Sequence, residues 1–244
     1  DEYSMVIPSS SAEYFGFTED EVKALCKNFN RDFDEIKAWY DGYLMPGKVH
    51  LYNPRSVVES MNGGKLRGYW VATSSFEALR IPINLNLDGL RETIISLIGG
   101  NRCKVNVNYF QNNTTDFETK DEALTFLVHL GYLAYDEDTS EVFIPNREIK
   151  EEFEHSIVTS KWQEVVDALK NSESLLQATW NCDEETVAKY IEQTHQKISA
   201  IIKYNNEESL RSVVTIAYYS AINYYSVKSE FPCGKGFADM VFMP

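Results

Sequence analysis

The first hundred residues place apolar side chains three to four positions apart, which is the spacing of helices that pack one face on a core. Thr18–Glu21 is a capping box, and Asn53-Pro54 combines an N-cap residue with a first-turn proline. Another apolar stretch lies between them at 33–40, and a later helix, opened by Asp88, ends at Gly99-Gly100 beyond these three. We therefore expect a first module built from short helices.

The pattern changes between residues 103 and 157. A short strand-like run at 104–107 precedes a second capping box, Thr119–Glu122, which opens a helix. Two further strand-like runs, 132–135 and 142–144, are joined by a polar loop. A helix followed by a two-stranded hairpin predicts a winged-helix-like module. Because its wing is acidic, a structural or protein-contact role is favoured over DNA recognition.

The chain is predicted to be helical from 160 to 204, and another helix begins near Glu207. Glu207 shares the predicted inward face of Leu210 and Val214, but acids in a first helical turn are also favoured by the helix dipole alone. A turn at 232–236 then leads into the last strand.

Asp239 is a lone acid within this last strand, Phe237–Met243, which is apolar on both faces. We expect both faces to be buried. A carboxylate in that position costs several kcal/mol unless it is hydrogen-bonded, paired or bound to a metal. Metal binding is one explanation for Asp239, and a capping role at a sheet edge is the other.

Composition narrows the function classes. The chain has 244 residues and a net charge of −14, with 37 acids against 23 bases, which weighs against a surface that grips nucleic acid by neutralising phosphates. Its four cysteines and four histidines form no zinc-ribbon or H-E-x-x-H spacing. No apolar run is long enough to span a membrane, so we expect a cytoplasmic protein without membrane partners.

Five ordered motifs resemble one known family. They are FGFTEDEV (15–22), WYDGY (39–43), YNPRSV (52–57), YWVATS (69–74) and GKGFADMVFMP (234–244). The first four look like the C-terminal part of bacterial AAA-ATPase-like proteins. The fifth resembles the start of the PD-(D/E)XK nuclease-like domain into which those proteins continue.

The resemblance implies a P-loop ATPase domain upstream, which would bind ATP, and a nuclease core that holds Mg²⁺. Asp239 matches the family's metal-binding Asp, and Glu207 matches the acid on its first helix. The chain contains no Gly-x-x-x-x-Gly-Lys-Ser/Thr, and no acid-x-Lys pair follows Asp239 within it. We expect the fragment itself to bind no cofactor and to be inactive.

We therefore predict a predominantly α-helical α+β fold in three parts. These are a helical lid-like module (1–85), a winged-helix-like module (86–157), and a helical segment that leads into a truncated nuclease-like helix and β-hairpin (158–244). Nucleic acid would be a partner of the complete parent protein. The alternative is a non-catalytic interaction module with a degenerate nuclease fold, which binds a protein partner or a second copy of the chain.

Overall fold

The computed structural model describes residues 12–45, 49–70, 79, 87, 89–109, 117–159, 162–199 and 207–244. Asp88 and residues 71–74 of the fourth motif lie outside the described residues. The fold is α+β and mostly helical, as predicted. The chain divides into a first unit, Asp1–Leu90 with Arg102–Ser156, and a second unit, Arg91–Asn101 with Ile157–Pro244.

The described helices and strands follow each other in this order along the chain. The helices are α1 (Glu19–Phe29), α2 (Phe33–Tyr40), α3 (Pro54–Gly63), α4 (Leu90–Ile98), α5 (Lys120–His129), α6 (Arg147–Thr159), α7 (Gln163–Trp180), α8 (Glu184–Ser199) and α9 (Glu207–Ala217). The strands are β1 (Phe17–Thr18), β2 (Tyr43–Met45), β3 (Val49–Tyr52), β4 (Cys103–Lys104), β5 (Ala134–Asp136), β6 (Glu141–Phe143), β7 (Ser226–Cys233) and β8 (Gly236–Met243). Short 3₁₀ segments cover Ala12–Phe15, Val107–Tyr109 and Tyr219–Asn223.

The helix starts predicted from capping residues are confirmed in the first unit. Thr18 caps α1 and Thr119 caps α5, each in a complete capping box with the glutamate three residues later. The Asn53 side chain accepts hydrogen bonds from the backbone N–H groups of Arg55 and Ser56, and Gly64 ends α3 in the left-handed conformation. Local sequence therefore sets these helix boundaries.

The helices α1, α2 and α3 surround an apolar core that also includes a strand residue. Its buried members are Val22, Cys26, Ile36, Tyr40, Tyr52, Val57, Met61 and Tyr69. A three-stranded antiparallel sheet in the order β1-β3-β2 lies beside these helices. The expectation of a first module made only of short helices is therefore incomplete, because strands of two to four residues are too short to show a clear alternating pattern.

The predicted hairpin after α5 is confirmed. Strands β5 and β6 pair antiparallel with Tyr135 opposite Val142, and β4 adds a third strand next to β6. The strand predicted at 104–107 is shorter than expected, since β4 stops at Lys104 and a 3₁₀ segment begins at Val107. That this module is a winged helix stays a prediction.

The second unit contains α7, α8 and α9, followed by the hairpin β7–β8. The inward face of α9 is formed by Val213, Ile216 and Ala217, which are all buried. Leu210 is 45% exposed, so the face predicted to hold Leu210 and Val214 is rotated relative to the observed one. The observed buried set is still spaced three and four residues apart, as a helix requires.

Candidate functional site

The two acids predicted as catalytic residues lie in the second unit. Glu207 is the first residue of α9, and Asp239 lies in the middle of β8, between Ala238, which pairs with Phe231, and Met240, which pairs with Ser229. The structure describes the backbone of Glu207 and Asp239 but not their side chains. That these acids form a metal site therefore stays a prediction.

The strand that carries Asp239 is not buried along its whole length. Phe237 is 73% exposed, and Phe231 on the paired strand is 39% exposed. Both lie near the two-residue turn Gly234-Lys235, at the end of the hairpin away from the helix that precedes it. The expectation of two buried faces is therefore wrong at this tip, where the aromatic rings meet solvent.

An aromatic cluster holds the other end of the hairpin. The Trp180 Nε1–H donates a hydrogen bond to the Tyr225 hydroxyl at 2.8 Å, and the Trp180 ring meets the Tyr224 ring edge-on, with centroids 4.9 Å apart. The Phe242 ring, on β8, lies 5.5 Å from the Tyr218 ring and 6.1 Å from the Tyr225 ring. Such contacts add to the stability gained from burial alone, so they position β8 against the end of α7.

The first unit contains a buried carboxylate, Glu148, that accepts hydrogen bonds from two of the five sequence motifs, YNPRSV and YWVATS. Its Oε2 accepts a hydrogen bond from the Ser56 hydroxyl at 2.7 Å, and its Oε1 accepts from the backbone N–H groups of Tyr69 and Trp70. Glu148 is 2% exposed, and its burial raises the pKa of the carboxyl, while the three hydrogen bonds oppose that rise. One side chain and two backbone N–H groups of these motifs therefore have a structural role as donors to Glu148.

The WYDGY motif joins α2 to the segment before α6. Gly42 has a φ of +117°, and a Cβ there would lie 2.2 Å from the carbonyl oxygen of Pro145. The Asn146 side chain donates a hydrogen bond to the Asp41 carbonyl at 2.9 Å, and the Tyr43 hydroxyl donates to the Gly131 carbonyl at 2.7 Å. Only glycine fits this close approach at a positive φ.

Asp41 also bonds through its carboxylate. The His50 Nδ1 lies 3.0 Å from Asp41 Oδ1 and 2.9 Å from Oδ2, and because a carboxylate only accepts, Nδ1–H is the donor. One Glu19 carboxylate oxygen, one Asp41 oxygen and one His50 ring nitrogen all lie within 4.8 Å of one another. This arrangement, called here the Glu19–Asp41–His50 cluster, brings together α1, the end of α2 and β3.

Two lysines bind the Glu19 carboxylate in this cluster. The Lys23 Nζ lies 2.6 Å from Oε1, and the Lys37 Nζ lies 2.6 Å from Oε2 and 4.0 Å from Asp41 Oδ2. The hydrogen bonds from Lys23 and Lys37 lower the pKa of Glu19 to about 2. Glu19 is therefore ionised at neutral pH.

Tyr52 lies two residues after His50 on β3, on the same face of the strand. Its side chain is 1% exposed, and its hydroxyl has no hydrogen-bond partner among the residues that the structure describes. Burial raises the pKa of Tyr52, and the charges of Asp41 and Glu19 raise it further. Tyr52 therefore holds a buried polar group that the described residues leave unbonded.

Sequence reasoning missed this cluster. Asp41 directly follows the predicted helix at 33–40, and His50 belongs to no histidine spacing typical of a metal site. The sequence signal that could have pointed to the cluster is the His50–Tyr52 spacing, which puts two donors on one strand face. Nothing local links that face to Asp41 or Glu19.

The comparisons with known proteins identify no relative: no family model, curated protein or solved structure matches this chain. Among the described residues, no helix is both long and apolar enough to cross a membrane.

Proposed function

We propose that this chain belongs to a larger protein that couples an AAA-type ATPase to a metal-dependent PD-(D/E)XK nuclease-like domain, with Asp239 as the first Mg²⁺ ligand and Glu207 as a supporting acid. The observation that carries the proposal is the order of elements in the second unit. Helix α9 is followed by the antiparallel hairpin β7–β8, and Asp239 lies in the middle of the second strand.

The chemistry of such a site fits an aspartate held on a strand. Mg²⁺ prefers hard oxygen ligands and keeps several of its waters, so one strand carboxylate provides one ligand and further groups complete the site. In this superfamily an acid-x-Lys pair on the following strand supplies the second carboxylate and a lysine that stabilises developing charge. Residues 240–244 contain neither an acid nor a lysine. The proposal therefore assigns cleavage to the parent protein and not to this chain alone.

The test is a cleavage assay on a polypeptide that contains this chain together with the strand that carries the acid-x-Lys pair. Labelled DNA and RNA are incubated with Mg²⁺ or Mn²⁺, and Asp239→Ala is compared with Glu185→Ala, which removes an exposed acid from α8 of the same unit. We expect Asp239→Ala to abolish metal-dependent cleavage and Glu185→Ala to retain it. Undiminished cleavage by Asp239→Ala would refute the assignment.

The exposed hairpin tip favours a second candidate function, a non-catalytic module that pairs with a second copy of the chain. Phe231 and Phe237 lie at that tip in contact with solvent, and apolar surface of this kind marks interaction sites when it is contiguous. Sedimentation tests this directly, because Phe237→Ser should shift a dimer toward monomer. A wild-type chain that is monomeric at high micromolar concentration excludes this candidate.

A further inference from the structure

The Glu19–Asp41–His50 cluster lies in the first unit and has no part in the proposed nuclease chemistry. It combines two carboxylates and one imidazole whose ligand atoms lie within 4.8 Å of one another. Metal bonds of about 2.1 Å place ligand atoms roughly 3 to 4 Å apart, so small side-chain rotations bring these three onto one ion. When Nδ1 binds the ion, the imidazole takes the tautomer with its proton on Nε2, and the Asp41 carboxylate binds the ion in place of that proton. The geometry points to a binding site for a divalent transition-metal ion at this cluster, which adjoins the strand face that carries the unpartnered Tyr52 hydroxyl.

The three ligands are supplied by three elements of known position. Glu19 lies in the first turn of α1, Asp41 caps the C-terminus of α2, and His50 lies on β3. The Asp41 side chain is 10% exposed, and the His50 side chain is 37% exposed. An ion therefore has an entry path past His50, while Asp41 holds it against the interior.

Tyr52 is an independent observation that points to a ligand. Buried hydroxyls are normally hydrogen-bonded, and this one has no partner among the described residues. It lies on the same strand face as His50, two residues further along β3. An ion at the cluster would give the Tyr52 oxygen a partner, directly or through a bound water.

The donor set identifies the class of metal. Imidazole nitrogen favours Zn²⁺, Fe²⁺, Ni²⁺ and Cu²⁺, whereas Mg²⁺ and Ca²⁺ favour sites made only of oxygen. One nitrogen and two or three oxygens match the ligands that Zn²⁺ takes in four-coordinate sites. Zn²⁺ is therefore the probe of choice, and Mg²⁺ is the metal that should fail.

Lys37 is the competitor for this site. Its ammonium lies 2.6 Å from Glu19 Oε2 and 4.0 Å from Asp41 Oδ2, so one positive charge interacts with both carboxylates. The Lys37 side chain is 40% exposed, so it can turn into solvent when an ion arrives. Because the ion must displace this charge, removing the ammonium should strengthen metal binding. A purely structural ion-pair network would show no such gain in metal affinity.

The test is calorimetric titration of the metal-free chain with ZnCl₂, with MgCl₂ as a second titrant. Cys182 and Cys233 are exposed thiols that bind zinc, so both are replaced by serine in every protein compared. Four variants are measured in this background: Asp41→Asn, His50→Ala, Tyr52→Phe and Lys37→Met. The control, His195→Ala, removes an imidazole from α8 in the second unit.

We expect one Zn²⁺ per chain and no heat from Mg²⁺. Asp41→Asn and His50→Ala should each weaken zinc binding by about 100-fold, and Tyr52→Phe by about 10-fold, in line with the loss of a ligand or of a supporting group. Lys37→Met should tighten binding by about 10-fold because its charge no longer competes. His195→Ala should bind zinc as the background protein does.

Two results would overturn the assignment. The first is zinc binding that is unchanged in folded His50→Ala and Asp41→Asn, which would place the ion elsewhere. The second is the absence of stoichiometric binding at millimolar ZnCl₂ in both the background protein and Lys37→Met. Circular dichroism of each variant confirms that a loss of binding is not a loss of fold. Lys37→Met is a second, independent test, because it keeps every proposed ligand and removes only the competing charge.

Discussion

The hydroxyl of Ser56 donates a hydrogen bond of 2.7 Å to Glu148, 92 positions later in the chain. The same carboxylate accepts the backbone N–H groups of Tyr69 and Trp70, so a single buried acid joins α3, α6 and the segment between them. Buried charges persist in folded proteins only when they are bonded in this way. The Glu148 carboxylate therefore stabilises the first unit by accepting three hydrogen bonds from residues far away in sequence.

Glu148→Ala should lower the free energy of unfolding by about 3 kcal/mol, because it leaves two buried donors and one partly buried donor without an acceptor. Urea unfolding followed by circular dichroism measures this change. Glu59→Ala removes an exposed acid from α3 and should change the unfolding free energy by less than about 0.5 kcal/mol. Equal effects of the two substitutions would contradict the role assigned to Glu148.

The unfolding free energy should also depend on pH through the ionisation of Glu148. Burial raises the pKa of Glu148 in the folded state, so the folded chain holds this proton more tightly than the unfolded chain does. Its contribution to the unfolding free energy is therefore fully present below the unfolded pKa and is lost as pH rises through the folded pKa.

Glu148→Gln separates that effect from the hydrogen bonds. The amide oxygen can still accept from the Tyr69 and Trp70 N–H groups, and the amide nitrogen can donate to the Ser56 oxygen. Between pH 4 and 7 we expect the wild type to lose stability relative to Glu148→Gln. Unfolding curves across this range would contradict the account if the difference between the two proteins stayed constant.

Gly42→Ala should destabilise the first unit by about 3 kcal/mol or more, because a side chain at φ +117° is strained and its Cβ would overlap the Pro145 carbonyl. Gly236→Ala is the matched control. Its Cβ would meet nothing within 4 Å, and no positive φ is recorded at that position. Thermal unfolding of the two variants should separate them clearly. A Gly42→Ala chain as stable as Gly236→Ala would contradict the close contact between residue 42 and the Pro145 carbonyl.

The two ends of the hairpin β7–β8 should respond differently to loss of an aromatic ring. Phe242→Ala removes the ring that meets Tyr218 and Tyr225 and should cost about 2–3 kcal/mol. Phe237→Ala removes a ring that is 73% exposed and should cost less than about 0.5 kcal/mol. Hydrogen exchange of the β8 amides should accelerate only in Phe242→Ala. Faster exchange in Phe237→Ala than in Phe242→Ala would refute the stabilising role assigned to the Phe242 contacts.

The sequence predicted those parts of the fold that depend on neighbouring residues. The capping boxes at Thr18 and Thr119, the Asn53 cap and the hairpin after α5 each depend on residues within a few positions, so pattern alone locates them. The β1-β3-β2 sheet was missed because its longest strand has four residues. Asp41 and His50 meet only after α2 packs beside that sheet, and no local spacing encodes such a contact.

The central claim is that Asp239 is a metal ligand in the parent protein, and an anomalous-scattering map of Mn²⁺-soaked crystals tests it most directly. The crystallised polypeptide is the larger protein that the proposal requires, and the same soak is applied to its Asp239→Asn variant. We predict an anomalous peak about 2.0–2.3 Å from the Asp239 carboxylate that disappears in Asp239→Asn. A peak that persists in that variant, or a fully formed nuclease-like core with no peak near Asp239, would contradict the claim.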